Sequence, residues 1–405
     1  MEIYLARQPV FDRDMVAIAY ELLFRSGNVA HAIIDDPNAA SMKVLANAFS
    51  EIGLDTITSG KPALVNITHD ILAKGDLPKG LHALLIPEVL ETVVVNGDVI
   101  SEVENLVELG YKVALDDFEY SEAWKPLLQY ADYIKLDVMA LGVEGVEAQL
   151  KLLKASGVLR GKLVAEKIET YEEFEIYKAM GFDYFQGYFL CKPHLVVGKS
   201  IPASQQVLVS LLGELGGDDY DVEKVSSIIA QDPRLSYKLL RVVNSAAFGL
   251  PRRVTSIEDT VVFLGANELR RWAGMLALAG VDNKPNELLL TGIKRAKMCE
   301  FAAKSLKRSN PGSYFAAGLL SVLDALLDQP LDLLMKQMPL SPELEQALLE
   351  GGGELGQILY AVIAYDEGRF DKVSPMGLEA NQMWEMYLDA VQWAEKVSQS
   401  MSAPH

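Results

Sequence analysis

The chain has 405 residues, half of them apolar and 23% charged, and carries a net charge of −19, which excludes a disordered polymer and any gross attraction to nucleic acid or anionic lipid. Its two cysteines, Cys191 and Cys299, lie too far apart for a metal motif and suggest no disulfide framework. No apolar run approaches the roughly 20 residues that span a bilayer, and the first residues lack the order of a secretory signal, so a cytoplasmic protein without membrane contact is expected.

Up to residue 200, apolar runs of strand length alternate with amphipathic stretches. The runs are Ala63 to Asn66, Ala83 to Glu88, Lys112 to Asp117, Tyr133 to Asp137, Lys162 to Glu166 and Tyr184 to Tyr188. Helices are predicted between them, for example over Val99 to Leu109 and Tyr171 to Met180, closed by Gly110 and Gly181. This alternation predicts a parallel sheet, and the number of units favours a closed barrel. After residue 200 the strand signal fades into a helical bundle. Asp232 caps a helix opened by Pro233, Ser256 to Asp259 has capping-box spacing before a segment ended by Gly265, and Ser341-Pro-Glu343 opens another helix. The expected division is 1–200, 201–397 and a frayed tail at 398–405. Residues 1–200 hold 30 acidic and 18 basic residues, a net of −12, against 26 and 19, a net of −7, in the rest. A basic stretch, Lys294, Arg295, Lys297, Lys304, Lys307 and Arg308, is expected to be a solvated helix face rather than a nucleic-acid patch, because no aromatic residues interleave it for stacking.

Carboxylates and one amide sit at the ends of the strand-like runs: Glu21, Asn66, Glu88, Asp116, Asp117, Asp137 and Glu166. In a parallel barrel such ends share one mouth, where hard oxygen donors suit Mg²⁺ or Mn²⁺ rather than Zn²⁺. The adjacent pair Asp116 and Asp117 suits two metals. Lys135 could orient or acidify a water, Glu166 could serve as ligand or general base, and Arg25 could meet a phosphate. Acids at strand ends are equally common as helix caps, and that alternative stays open on spacing alone.

Tyr20-Glu-Leu-Leu-Phe-Arg25 resembles the signature of the EAL domain family, cyclic di-GMP phosphodiesterases and their degenerate relatives. Further motifs follow in family order: Gln8-Pro-Val10, Val65-Asn-Ile67, Glu88-Val-Leu-Glu91, Leu115-Asp-Asp-Phe118, Ile134-Lys-Leu-Asp137, Ala165-Glu-Lys-Ile-Glu-Thr170 and Phe185-Gln-Gly-Tyr188. The resemblance implies a modified triosephosphate-isomerase barrel that opens cyclic di-GMP to linear pGpG with two Mg²⁺ or Mn²⁺ ions. By the same resemblance Glu21, Asn66, Glu88 and Asp116 are metal ligands, with Asp117 at the second metal. Lys135 and Glu166 are then catalytic, Gln8, Arg25 and Gln186 bind substrate, and Glu91 stabilises the loop after Asp117.

Two positions depart from the family pattern. The loop Glu119-Tyr-Ser-Glu-Ala-Trp124 replaces the Gly-Thr-Gly-Tyr-Ser-Ser of active members, and Lys167 stands where the motif has glycine. Glutamate and serine resist backbone angles that glycine allows, and two added acids oppose an anionic substrate. Residues from Gln231 to Gly249, Val254-Thr-Ser-Ile257, Phe263-Leu-Gly265 and Ala316-Ala-Gly-Leu-Leu320 resemble the HDOD domain, an output module related to metal-dependent HD hydrolases. Ser321 and Val322 occupy the place of the His-Asp pair, so this half is expected to be non-catalytic and to engage protein partners. Homodimerisation remains open. Two readings follow, a phosphodiesterase of low activity and an inactive cyclic di-GMP receptor or scaffold.

Overall fold

Alternation of apolar side chains along eight strands closes the first half into a barrel. In the computed structural model, which describes residues 3–26, 54–74, 77, 81–192, 203–216, 221–244, 248, 254, 256–279, 281, 284–338, 340–373 and 377–402, the strands are β1 (Ile3–Phe11), β2 (Ala17–Ser26), β3 (Ala63–Ile67), β4 (Leu85–Val89), β5 (Ala114–Leu115), β6 (Tyr133–Asp137), β7 (Lys162–Ile168) and β8 (Tyr184–Gly187). They pair in chain order around a closed ring. From β2 to β8 all neighbours are parallel, as expected, but β1 runs antiparallel to both β2 and β8. The connection from Phe11 to Ala17 is too short for a crossover, and only a hairpin can close it. Asp12 builds that turn by accepting from the backbone N–H groups of Asp14 and Val16, each at 2.9 Å.

Val10, Ala19, Leu64, Ile86, Ala114 and Val164 form one buried cluster, with Tyr133 and Tyr184 packed against it. Two residues further along each parallel strand stand Glu21, Asn66, Glu88, Asp116, Lys135, Glu166 and Gln186. Side chains at i and i+2 share a face of a strand, so the polar set is the next layer above the apolar plug. Gln8 enters the same layer from the opposite sense, two residues before Val10, because β1 is reversed.

The helix Gly97–Glu108 is capped by Asn96, buries Val99, Val103 and Leu106, and is followed by Gly110 at φ +89°. The helix Tyr171–Met180 has a capping box between Thr170 and Glu173 and ends at Gly181, φ +99°.

The chain divides into two units, Met1–Leu190 and Cys191–His405, slightly before the boundary expected at residue 200. The second unit is helical, and no helix among the described residues is long and apolar enough to cross a membrane. Asp232 accepts from Leu235 N ahead of the helix Pro233–Val243, and Ser256 accepts from Asp259 N at the start of Ile257–Leu278. Gly265, expected to end that segment, instead breaks it at φ +70°, and helix resumes because Leu269, Trp272, Ala273 and Leu276 continue a buried stripe. The last helix runs Ala380–Ser402, so the tail expected from 398 is helical to Ser402. Val391, Ala394, Val397, Ser398 and Met401 carry its buried face through that point.

The basic stretch is only in part the solvated face expected, since Lys304 and Lys307 are exposed but the rest is drawn inward. Lys294 and Arg295 are buried and share Asp366, Arg295 Nε lying 2.9 Å from Oδ2, while Lys297 and Lys304 both reach the buried Glu300. Asn244 donates to Leu240 O and Val254 O and accepts from Val254 N, which tethers the end of its helix to the following segment. Ser321 donates to Gly318 O and Val322 is buried, so the His-Asp position holds packing residues.

Candidate active site at the barrel mouth

Lys135, central in β6, is fully buried, and its ammonium reaches four carboxylates at 2.5 Å (Glu88), 2.7 Å (Asp116), 2.7 Å (Glu166) and 3.1 Å (Glu21). Strand register produces this convergence. Asn66 pairs with Glu88, Glu88 with Ala114, and Asp137 with Glu166, so one polar position from each strand faces the axis. Asp116 lies just past the short β5 and continues its pairing through N–H donation to Val89 O at 3.0 Å.

Gln186 joins the ring by donating to Glu21 Oε2 at 2.6 Å and to Gln8 Oε1 at 3.1 Å. The following residue, Gly187, has φ +153°, and a Cβ there would stand 2.0 Å from Ile168 O. Only glycine lets β8 approach β7 closely enough to place Gln186 in the mouth. The sequence-predicted set Glu21, Glu88, Asp116, Lys135, Glu166, Gln186 and Gln8 is therefore brought together.

One cation among four acids leaves a surplus of negative charge in a buried site. Burial pushes the Glu166 carboxyl up to about 8, against the pull of Lys135 and with the push of Asp116 and Glu21. Burial likewise raises Glu88 well above the usual carboxylate range. For Lys135 burial acts downward, yet Glu166, Glu21, Glu88 and Asp116 together hold the ammonium well above the ordinary lysine value. At neutral pH it is a fixed cation and not a base.

Several buried oxygens lack a hydrogen-bond donor: Asn66 Oδ1, both oxygens of Glu88 and Glu166 Oε2. Glu88 Oε1 is close to the Lys135 ammonium but without hydrogen-bond angles. Such orphaned acceptors are costly unless a cation takes them up. Among the described residues no group of three or more His, Cys, Asp or Glu side chains is arranged to hold a metal ion, and the Lys135 ammonium takes the place the four carboxylates share. The donor chemistry, all hard oxygen, nevertheless fits Mg²⁺ or Mn²⁺.

Asp117, φ +40°, turns both carboxylate oxygens to Lys167 Nζ at 3.1 Å. Asp137 caps the helix Val138–Ser156 by accepting from Met139 N and Ala140 N, and its other oxygen accepts from Lys167 at 2.6 Å. Burial would lower the Lys167 ammonium, but Asp137 and Asp117 raise it above the usual lysine range. Glu91, expected to hold the loop after Asp117, is exposed and makes no hydrogen bond or ion pair to it among the described residues. Arg25 belongs to β2 opposite Tyr4, and its side chain lies outside the described residues.

The loop itself is held without glycine. Tyr120 N donates to Gln149 Oε1 at 2.8 Å, Trp124 N and Lys125 N donate to Ser121 O, and Phe118 meets Trp124 edge to face at 6.1 Å. None of Glu119 to Trp124 has a positive φ; the left-handed residue is Asp117, two positions before Glu119. Sequence reasoning noted Lys167 only as a missing glycine. The signal for its role was a long cation at a left-handed position beside the mouth.

A buried acid–lysine layer capping a closed barrel, followed by a helical unit, defines a two-domain class. The EAL domain family matches residues 2–193 and the HDOD domain family residues 201–327. Uncharacterized protein YuxH of Bacillus subtilis is 30% identical, over 98% of this chain and 99% of its own length. Cyclic di-GMP phosphodiesterase CdgJ of Vibrio cholerae is also 30% identical, over 98% of this chain and 93% of its own. A solved manganese/cy-diGMP complex of Klebsiella pneumoniae BlrP1 is 22% identical, covering 47% of this chain and 55% of that one at a TM-score of 0.38. The chain belongs to the EAL–HDOD family.

Proposed function

We propose that the protein serves bacterial cyclic di-GMP signalling, and that its barrel binds cyclic di-GMP with a divalent cation, Mg²⁺ or Mn²⁺, and hydrolyses it slowly to linear pGpG. The observation that carries this reading is the buried layer in which Lys135 meets Glu21, Glu88, Asp116 and Glu166. The likeness to CdgJ over nearly the whole chain supports it. Glu21, Asn66, Glu88 and Asp116 would hold the cation, which when bound polarises the phosphodiester and the attacking water. Glu166, poised near neutrality, accepts the water proton as the water oxygen attacks phosphorus. Lys135 supplies fixed positive charge, the P–O3′ bond breaks, and the released 3′ oxygen takes up a proton. Gln8, Gln186 and Arg25 would orient the dinucleotide.

Chromatography of cyclic di-GMP incubated with the protein and Mn²⁺ is expected to yield pGpG, with Glu166→Gln slower by about 100-fold. Saturable nucleotide binding with no product over hours would overturn turnover. The second reading, a catalytically inactive receptor or scaffold, is favoured by Glu119 and Glu122, both exposed on a glycine-free loop next to Asp117. With the EAL domain at 1–200, the HDOD domain at 201–397 is a non-catalytic protein-interaction module, since packing residues stand at the His-Asp position. Partners retained by the full chain and lost when it ends at residue 200 are expected; equal retention by both would sink that assignment.

A further inference from the structure

Lys167 and Asp117 are both non-glycine residues with positive φ, +59° and +40°, and they are paired with each other. A left-handed conformation is strained for a residue with a Cβ and not for glycine, so two such residues held face to face need a compensating interaction. Lys167 sits in the register shift of β7 against β8, between Ala165 and Ile168, at the rim where bulges re-aim side chains. Its ammonium reaches both oxygens of Asp117 and Oδ2 of Asp137, across the ends of β5, β6 and β7. Asp137 spends its other oxygen on the helix cap. Neither carboxylate has an oxygen left facing the mouth without a cation or a backbone donor.

We infer that Lys167 is a built-in cation in the second metal position, so that the mouth takes one divalent ion, beside Glu88 and Asp116, and the lysine ammonium supplies the second positive charge. This rests on the metal-binding reading proposed for the barrel. The ammonium compensates the charge of Asp117 but coordinates no water, so the arrangement favours nucleotide binding over rapid turnover. Lys167 is 43% exposed on its side chain, so it is not sealed from an anion at the mouth.

Isothermal titration of the full chain with Mn²⁺ alone tests the stoichiometry. The wild type is expected to bind one ion, and Lys167→Gly two. Lys167→Asn is expected to match it, since asparagine tolerates the left-handed backbone and guards against a folding defect of the glycine variant. Adding Asp117→Asn to Lys167→Gly should return the count to one. Two ions in the wild type, or one ion in both Lys167 variants, overturns the inference while leaving the metal site intact. No ion in any of these proteins overturns the metal reading and this inference with it.

Discussion

Both halves bury charge, but they balance it differently. In the helical unit, Asp366 is flanked by Lys294 and Arg295, and Glu300 by Arg271, Lys297 and Lys304, so each of these two buried anions has at least two cations. Burial acts to raise Asp366, yet Lys294 and Arg295 bring it below the usual carboxylate value. In the barrel mouth one ammonium serves four carboxylates, and Glu88 and Glu166 are pushed up instead. A satisfied cluster stabilises its own neighbours and asks for no ligand. An unsatisfied one stores repulsion that an added cation can relieve, which is the property of a binding site.

That contrast can be broken most forcefully at Asp366. Asp366→Ala leaves Lys294 and Arg295 buried without their shared anion and is expected to destabilise the helical unit by about 3–5 kcal/mol. Hydrogen–deuterium exchange should place the loss in residues 286–366, and unchanged protection there would refute a structural role for the cluster. A smaller effect is expected in the barrel as pH changes. With chelator present, the folded Glu166 holds its proton up to about pH 8 whereas the unfolded chain releases it near its ordinary value of 4.5. The folded state therefore binds more protons between those values, and barrel stability falls as pH rises through this window. Asp366 has the opposite sign, its contribution being lost only as pH falls below 3.8. Barrel Tm is expected to drop by about 5 °C from pH 5 to pH 8. Asp116→Ala, which removes one of the acids that push Glu166 up, should flatten that slope and abolish stabilisation by Mn²⁺. A slope and an Mn²⁺ response equal to wild type would remove Asp116 from the site.

Much of the site was legible because barrel geometry is periodic. Glu21, Glu88, Asp116 and Glu166 stand two residues beyond Ala19, Ile86, Ala114 and Val164, and a strand repeats its face every second residue. Glu91 stands exposed, and a short acidic motif says nothing about which of its residues points outward. Asp137 exchanged a place in the site for a helix cap, the alternative that spacing alone left open. The buried Lys294 and Arg295 were misread as a solvated face because their partner Asp366 is remote in sequence.

The sequence by itself determined the two-part organisation, the barrel class and the residues of the polar layer, since these follow from local patterning and the order of short motifs. Only the tertiary structure decided what that layer does with its charge. Pairing Lys135 with four acids, and Lys167 with Asp117 and Asp137, requires closing the barrel, and closure brings together residues that lie up to 178 apart in the chain, Gln8 and Gln186. Electrostatic balance is a property of that convergence, because burial and distance set the strength of each pair and neither is written in the spacing of residues along the chain.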